Sequence, residues 1–88
     1  MKLKKDFVLR QVAGKWIVIP FGDSTVNFHG MISLNETGAM LWRRMESECD
    51  AHALAVALTE EFEIDYEQAL TDVNEFIDTL DRAGCIEK

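Results

Sequence analysis

The sequence predicts an α+β domain in which a three-stranded antiparallel sheet precedes three helices, in winged helix-turn-helix-like order. Three observations support this prediction: apolar residues follow a strand period up to about residue 34, a helical period governs the rest, and turn residues separate the runs. Strands followed by helices are typical of a sheet with its helices on one face. At 88 residues, the chain is expected to form a single domain, residues 1–88.

The first two predicted strands form a hairpin. The run Phe7–Val12 is separated from residues 15–21 by Ala13 and Gly14, and a two-residue connection containing glycine is typical of a tight β-turn. The second run is apolar on both faces, so we expect it to be the central strand. Pro20 has no N–H for a ladder and should lie at the end of this strand or at a bulge.

The third predicted strand covers residues 26–34, after a turn at residues 22–24. By the two-residue period, one face holds Val26, Phe28, Ile32 and Leu34, and the other holds Asn27, His29, Met31 and Ser33. Gly30 in such a strand indicates a kink, a bulge or a close backbone approach. Because only one face is apolar, this strand is expected at the edge of the sheet.

The first two helices are predicted from their caps and apolar stripes. Asn35 caps a helix that runs to about Glu46, and Gly38 near its start indicates close packing against another element. Asp50 caps the second helix. The expected inner stripes are Leu41, Trp42 and Met45 in the first helix, and Leu54, Ala57, Leu58 and Phe62 in the second.

The third helix has the clearest pattern. Asp65 is the expected N-cap, Gln68 completes a capping-box-like pair, and Gly84 ends the helix. The spacing predicts a length of about 18 residues, or ~27 Å at ~1.5 Å per residue. Its stripe comprises Tyr66, Ala69, Leu70, Val73, Phe76, Ile77 and Leu80.

No catalytic or metal-binding pattern is found in the sequence. Neither His29 nor His52 has a partner nearby in sequence that completes a known motif, and Cys49 and Cys85 match no zinc or redox spacing. We therefore expect no enzymatic activity and no cofactor. No apolar run approaches the ~20 residues needed to span a membrane, and no signal-peptide block is present, so the expected location is cytoplasmic.

Charge is divided unevenly along the chain. Residues 1–44 hold 7 basic and 3 acidic residues, a net of +4, whereas residues 45–88 hold 2 and 13, a net of −11. Solvated helix faces explain the acidic half most simply, although such asymmetry is also typical of an interaction surface. A winged-helix nucleic-acid-binding regulator is the alternative function. The acidic third helix, the one that would enter a groove, disfavours it because phosphate binding requires cations.

Two segments give a more specific indication. The junction GMISLNETGAMLW, residues 30–42, resembles the signature of the PqqD-like family, and the tail DVNEFIDTL followed by AGCI resembles the end of that family's sequences. The resemblance covers nearly the whole chain. It implies a peptide-recognition domain that binds the leader of a ribosomally synthesised, post-translationally modified peptide and presents it to a modifying enzyme, often a radical S-adenosylmethionine enzyme. The pathway is pyrroloquinoline quinone synthesis or that of another modified peptide.

The resemblance also implies a binding mode and a set of site residues. In this family the leader adds as a strand beside the third strand, in a cleft against the third helix, and an edge strand has the unpaired N–H and C=O groups this requires. No membrane or nucleic acid is an expected partner, and the assembly is expected to be a monomer or a weak dimer. The candidate peptide-binding residues are Gly30, Met31, Ile32, Ser33, Leu34, Asp72, Val73, Phe76, Thr79 and Leu80. Plain core packing is the simpler explanation for the apolar members.

Overall fold

The computed structural model describes residues 1–21 and 32–87, which form two small sheets and three helices. One sheet has the order β2-β3-β4 and the other pairs β1 with β5, both antiparallel. The α+β prediction is confirmed, with three helices following the three-stranded sheet. In chain order the elements are β1 (Lys2–Leu3), β2 (Phe7–Val12), β3 (Lys15–Pro20), β4 (Ile32–Leu34), α1 (Glu36–Met45), α2 (Ala51–Glu61), α3 (Tyr66–Arg82) and β5 (Ile86–Glu87).

The predicted hairpin is confirmed, and β3 is the central strand. Val12 pairs with Lys15 across the two-residue turn, in which Ala13 and Gly14 have φ angles of 53° and 80°. Two successive positive φ angles are those of a type I′ turn, whose twist matches that of the strands it joins. Pro20 is the last residue of β3, as its missing N–H required.

Strand β4 is the described part of the predicted third strand. Ile32 and Leu34 are half-buried against the core, while Ser33 between them is exposed, so the predicted alternation is confirmed for these residues. Among the described strands, β4 pairs with β3 alone and therefore lies at an edge. The expected turn at residues 22–24 and the part of the predicted strand at residues 26–31 lie outside the described residues.

Each predicted N-cap is confirmed. The side chains of Asn35, Asp50 and Asp65 each accept a hydrogen bond of 2.8 Å from the backbone N–H three residues later. In α1, the predicted stripe of Leu41, Trp42 and Met45 is fully buried. In α2, Leu54, Ala57 and Leu58 are buried as predicted, while Phe62 is half-buried at the C-cap.

Helix α3 differs from its prediction in two details. The side chain of Gln68 donates to Asp72 at 2.9 Å and does not complete the predicted capping box. Tyr66 is 39% exposed rather than part of the core, and its hydroxyl lies 2.8 Å from His52 Nδ1 at the surface. At the other end, Cys85 N–H donates to the Leu80 carbonyl and Gly84 N–H to Asp81, which is the Schellman arrangement that glycine after a helix favours.

The pairing of β1 with β5 has no counterpart in the predictions. Leu3 pairs with Ile86, and both side chains are buried in the main core. The core lies between the inner face of the three-stranded sheet and the helices, and Val18, Leu41, Met45, Leu58 and Leu80 are among its fully buried members. The sheet therefore contributes one face to the core and leaves the β4 edge beside α1 and α3.

Candidate functional site

The hydrogen-bonding direction of β4 follows from the register of the sheet. The two strands of a two-residue hairpin are joined by a hydrogen-bonded pair next to the turn, so the backbone N–H and C=O of Lys15 point to β2. Phe21, six positions later, has the same direction, because its N–H donates to the Asp6 carbonyl at 2.8 Å. Because successive residues alternate, Trp16 and Val18 direct theirs to β4. Their partners Leu34 and Ile32 bond back to β3. The N–H and C=O of Ser33 therefore point away from the sheet.

A cleft of about 370 Å³, here called the α1–α3 cleft, opens beside this edge. Its walls come from the start of α1, immediately after β4, and from the middle of α3. The floor is apolar, and the α3 rim is acidic and polar. The lining residues are Asn35, Thr37, Gly38, Leu41, Asp72, Glu75, Phe76 and Thr79.

Gly38 lets the three elements meet. A Cβ at this position would lie 3.2 Å from Leu34 Cβ and 3.3 Å from Phe76 Cε1, both tighter than ordinary van der Waals contact. It would also lie 3.4 Å from Asn35 Oδ1, the atom that caps α1. The predicted close packing at Gly38 is therefore confirmed, and the end of β4, the first turn of α1 and the Phe76 ring converge on one point.

The α3 rim of the cleft has a negative field. The half-buried Asp72 and the exposed Glu75 lie about one turn apart on α3. The side-chain amide of Gln68 donates to Asp72. Thr79 uses its hydroxyl to donate to the Glu75 carbonyl at 3.0 Å. An extended chain in the cleft would thus meet an apolar floor and one side that favours cationic or hydrogen-bond-donating groups.

The structure brings part of the predicted site together. Ser33 at the edge and Asp72, Phe76 and Thr79 in the cleft are accessible, and Ile32 and Leu34 form the half-buried inner side of β4. Val73 and Leu80 have no exposed surface and lie in the core beneath the cleft. Gly30 and Met31 lie outside the described residues.

Several lining residues were not anticipated from the sequence. Asn35 is the N-cap of α1, Thr37 and Leu41 come from α1, and Glu75 comes from α3. Their presence depends on the angle at which α1 crosses α3, which periodicity does not specify. The close packing predicted at Gly38 was the signal that a second element approaches the first turn of α1.

In the described part of the chain, the histidine and both cysteines lie outside the α1–α3 cleft. His52 Nδ1 lies 2.8 Å from the Tyr66 hydroxyl at the surface, joining the starts of α2 and α3. Burial raises the pKa of the Cys85 thiol to about 11 and also raises that of Cys49, so neither is an activated nucleophile. Within residues 1–21 and 32–87, no group of three or more His, Cys, Asp or Glu side chains is placed to hold a metal ion.

No helix within residues 1–21 and 32–87 has both the length and the apolar character that a membrane crossing requires.

Two solved structures share this fold. One is TbiB1 in complex with the TbiA(beta) leader peptide, with a TM-score of 0.78 and 16% identity over 99% of this chain and 95% of that chain. The other is lasso peptide synthetase B1 complexed with the leader peptide, with a TM-score of 0.77 and 21% identity over 99% and 96% of the two chains. At these identities the likeness establishes the fold.

Sequence comparison gives the family. A comparison with curated proteins returns no significant match. The family described as coenzyme PQQ synthesis protein D (PqqD) matches residues 17–86, which include β4, all three helices and the whole α1–α3 cleft. The resemblance seen in the LNETG junction and the tail is thereby confirmed, and the chain belongs to the PqqD family.

Proposed function

We propose that this protein binds the leader segment of a ribosomally made precursor peptide and presents it to a modifying enzyme. Membership of the PqqD family supports this function, as does a fold shared with two proteins solved with leader peptides bound. The protein acts in the cytoplasm as a binding partner, and the chemistry belongs to the enzyme that receives the peptide. A radical S-adenosylmethionine enzyme is the proposed recipient, because the family resemblance implies one.

The leader adds as a strand to β4. The observation that carries this proposal is the outward N–H and C=O of Ser33, which lie at an edge strand directly beside the α1–α3 cleft. An extended peptide pairing with β4 satisfies these groups and projects alternate side chains toward the cleft. The half-buried Phe76 ring then supplies an apolar contact for the side chains that point inward.

Backbone pairing alone does not hold such a peptide. Each new hydrogen bond contributes about 1 kcal/mol net, while ordering a disordered segment costs about 2–5 kcal/mol or more. Burial of an apolar side chain against Phe76 and Leu41 adds about 1.5–3 kcal/mol, which makes the cleft as important as the edge. We therefore expect the recognised segment to contain at least one large apolar residue, with a cationic neighbour favoured by Asp72 and Glu75.

A pair of proline variants tests the strand addition. Ser33→Pro removes an N–H that points outward and should abolish binding at little cost in stability, whereas Ile32→Pro removes an N–H directed at β3 and should lower the free energy of unfolding. The ligands are short peptides encoded beside the gene, tested by co-purification and then by amide-shift mapping. Thermal unfolding of each variant is measured alongside.

Phe76→Asp tests the cleft and should weaken binding, because it places an unpaired charge beside an apolar surface. Tyr66→Asp is the matched control, an aromatic residue of the same helix that is 39% exposed and does not line the cleft. Shifts confined to α2, or unchanged affinity in folded Ser33→Pro and Phe76→Asp, would exclude β4 as the docking edge.

A further inference from the structure

A second concave surface lies on the opposite side of α1. It has a volume of about 450 Å³ and is formed by residues of β1, the segment that follows it, β2, β3 and the last turns of α1; it is here called the basic pocket. Apolar side chains line its interior, among them the buried Trp42 and Phe7 and the half-buried Trp16 and Leu9. Trp42, Arg43 and Glu46 line this pocket, whereas Thr37, Gly38 and Leu41 line the α1–α3 cleft. At ~100° per residue, the two groups are centred about 140° apart around the axis of α1.

The rim of this pocket is strongly cationic in a chain that is acidic overall. Lys2, Lys4, Lys5 and Arg43 line it, which is four of the nine Lys and Arg residues of a chain with a net charge of −7. Glu46 is the carboxylate among its described lining residues. The rim therefore favours an anionic occupant.

One cation is held in place by an aromatic ring. The Arg43 guanidinium carbon lies 4.5 Å from the centroid of the Trp16 ring, within the range of a cation–π contact. Trp16 Nε1–H also donates to Glu36 Oε1 at 3.3 Å, a second contact that holds the ring in place. A pre-positioned guanidinium loses little conformational entropy when it pairs with a carboxylate.

We propose that the basic pocket docks an acidic surface segment of the modifying enzyme, one that carries several Asp or Glu residues around an apolar side chain. Charge complementarity and the apolar interior define the chemistry of this segment. The position of the pocket indicates which molecule carries this segment. A leader in the α1–α3 cleft leaves the opposite flank of α1 open, so the protein can hold the peptide and the enzyme at the same time. The assignment to the enzyme rests on the proposed function, whereas the preference for an acidic segment rests on the pocket alone.

The test uses a synthetic probe and the protein's own fluorescence. The probe is a capped peptide with four Asp or Glu residues around a central Leu, and its neutral counterpart carries Asn and Gln at those positions. Both tryptophans of the chain, Trp16 and Trp42, line the pocket, so their emission reports occupancy directly. The acidic probe should change this emission with an affinity that falls as salt rises, and the neutral peptide should not.

Charge reversal with a matched control locates the binding. The double variant Lys4→Glu/Lys5→Glu should lower the affinity for the acidic probe by about tenfold or more, since two attractive contacts become repulsive. Lys15→Glu/Arg44→Glu reverses the same number of charges at residues that do not line the pocket, and should change affinity less than about threefold. Equal losses in the two double variants, or equal binding of acidic and neutral peptides, would overturn the proposal.

Competition separates this proposal from the proposed function. Folded Phe76→Asp should keep its affinity for the acidic probe, because Phe76 lines the α1–α3 cleft and not the basic pocket. If no leader peptide binds but the acidic probe still behaves as expected, the proposed function fails while the pocket stands. If a leader binds β4 and displaces the probe, the two surfaces are not independent and the assignment to the enzyme is wrong.

Discussion

Replacing Gly38 with alanine places two opposing effects on one helix position. Alanine in place of glycine in a helix contributes about 1 kcal/mol of stability through backbone entropy. Against this, the added Cβ lies 3.2 Å from Leu34 Cβ, 3.3 Å from Phe76 Cε1 and 3.4 Å from Asn35 Oδ1. The Leu34 Cβ is fixed by the backbone of β4 and yields least, so α1 and β4 must move apart by a few tenths of an ångström.

The unfavourable effect should be larger. Overpacking of this kind costs about 1–3 kcal/mol, and a displaced Asn35 loses part of the ~1 kcal/mol that an N-cap contributes. Subtracting the ~1 kcal/mol gain in helix propensity leaves a net cost of about 0–3 kcal/mol, and we expect Gly38→Ala to lower the free energy of unfolding by about 1–2 kcal/mol, the middle of that range. For a domain of this size that corresponds to a fall in Tm of roughly 4–16 °C.

The chain offers a closely matched control in α2. Ala53 is exposed and occupies the same helix position relative to its cap: its N–H donates to Asp50 Oδ1 at 2.8 Å, as that of Gly38 does to Asn35 Oδ1. Thermal and urea unfolding of Ala53→Gly gives the worth of the alanine–glycine exchange in this protein. If Gly38→Ala raises the free energy of unfolding by as much as Ala53→Gly lowers it, the crowding around Gly38 has no energetic cost and the predicted destabilisation is wrong.

Three other outcomes concern the thiols and a cap. Burial raises the pKa of Cys85 to about 11 from the ordinary 9.0, so the unfolded chain loses this proton at a lower pH than the folded protein does. The free energy of unfolding should therefore fall by about 2–3 kcal/mol as the pH rises from 9 to 11. The Cys85→Ala variant should not show this fall. A thiol reagent at pH 8 should label the half-buried Cys49 first and the buried Cys85 only through unfolding; equal labelling rates would contradict the structure. Asp65→Ala should lower the free energy of unfolding by about 1 kcal/mol and Asp65→Asn much less, as chemical denaturation can measure.

Local signals were sufficient for most of the fold. The cap residues Asn35, Asp50 and Asp65 each begin a helix, and the Ala13–Gly14 turn joins two strands, because these structures depend on neighbours within a few positions. The β1–β5 pair was not predicted because each strand has two residues, which are too few to show a period. In addition, the two strands are far apart in the sequence.

The site could be predicted only in outline. Periodicity places Val73, Phe76 and Leu80 on one face of α3 but does not tell which member of a stripe is covered by other elements. In the structure Val73 and Leu80 are fully buried, while Phe76 is half-buried and lines the cleft. The outward direction of Ser33 likewise required the register of β4 against β3, which follows from tertiary pairing and not from the residue itself.

The pairing of β1 with β5 has a consequence for the order of folding. Leu3 pairs with Ile86, 83 positions later, whereas the β2–β3 hairpin closes over two residues. Closing the longer loop costs about 3 kcal/mol more in chain entropy, so the hairpin and the α2–α3 contacts are expected to form before β1 meets β5. Substitutions at Leu3 or Ile86 should therefore accelerate unfolding and leave the refolding rate nearly unchanged.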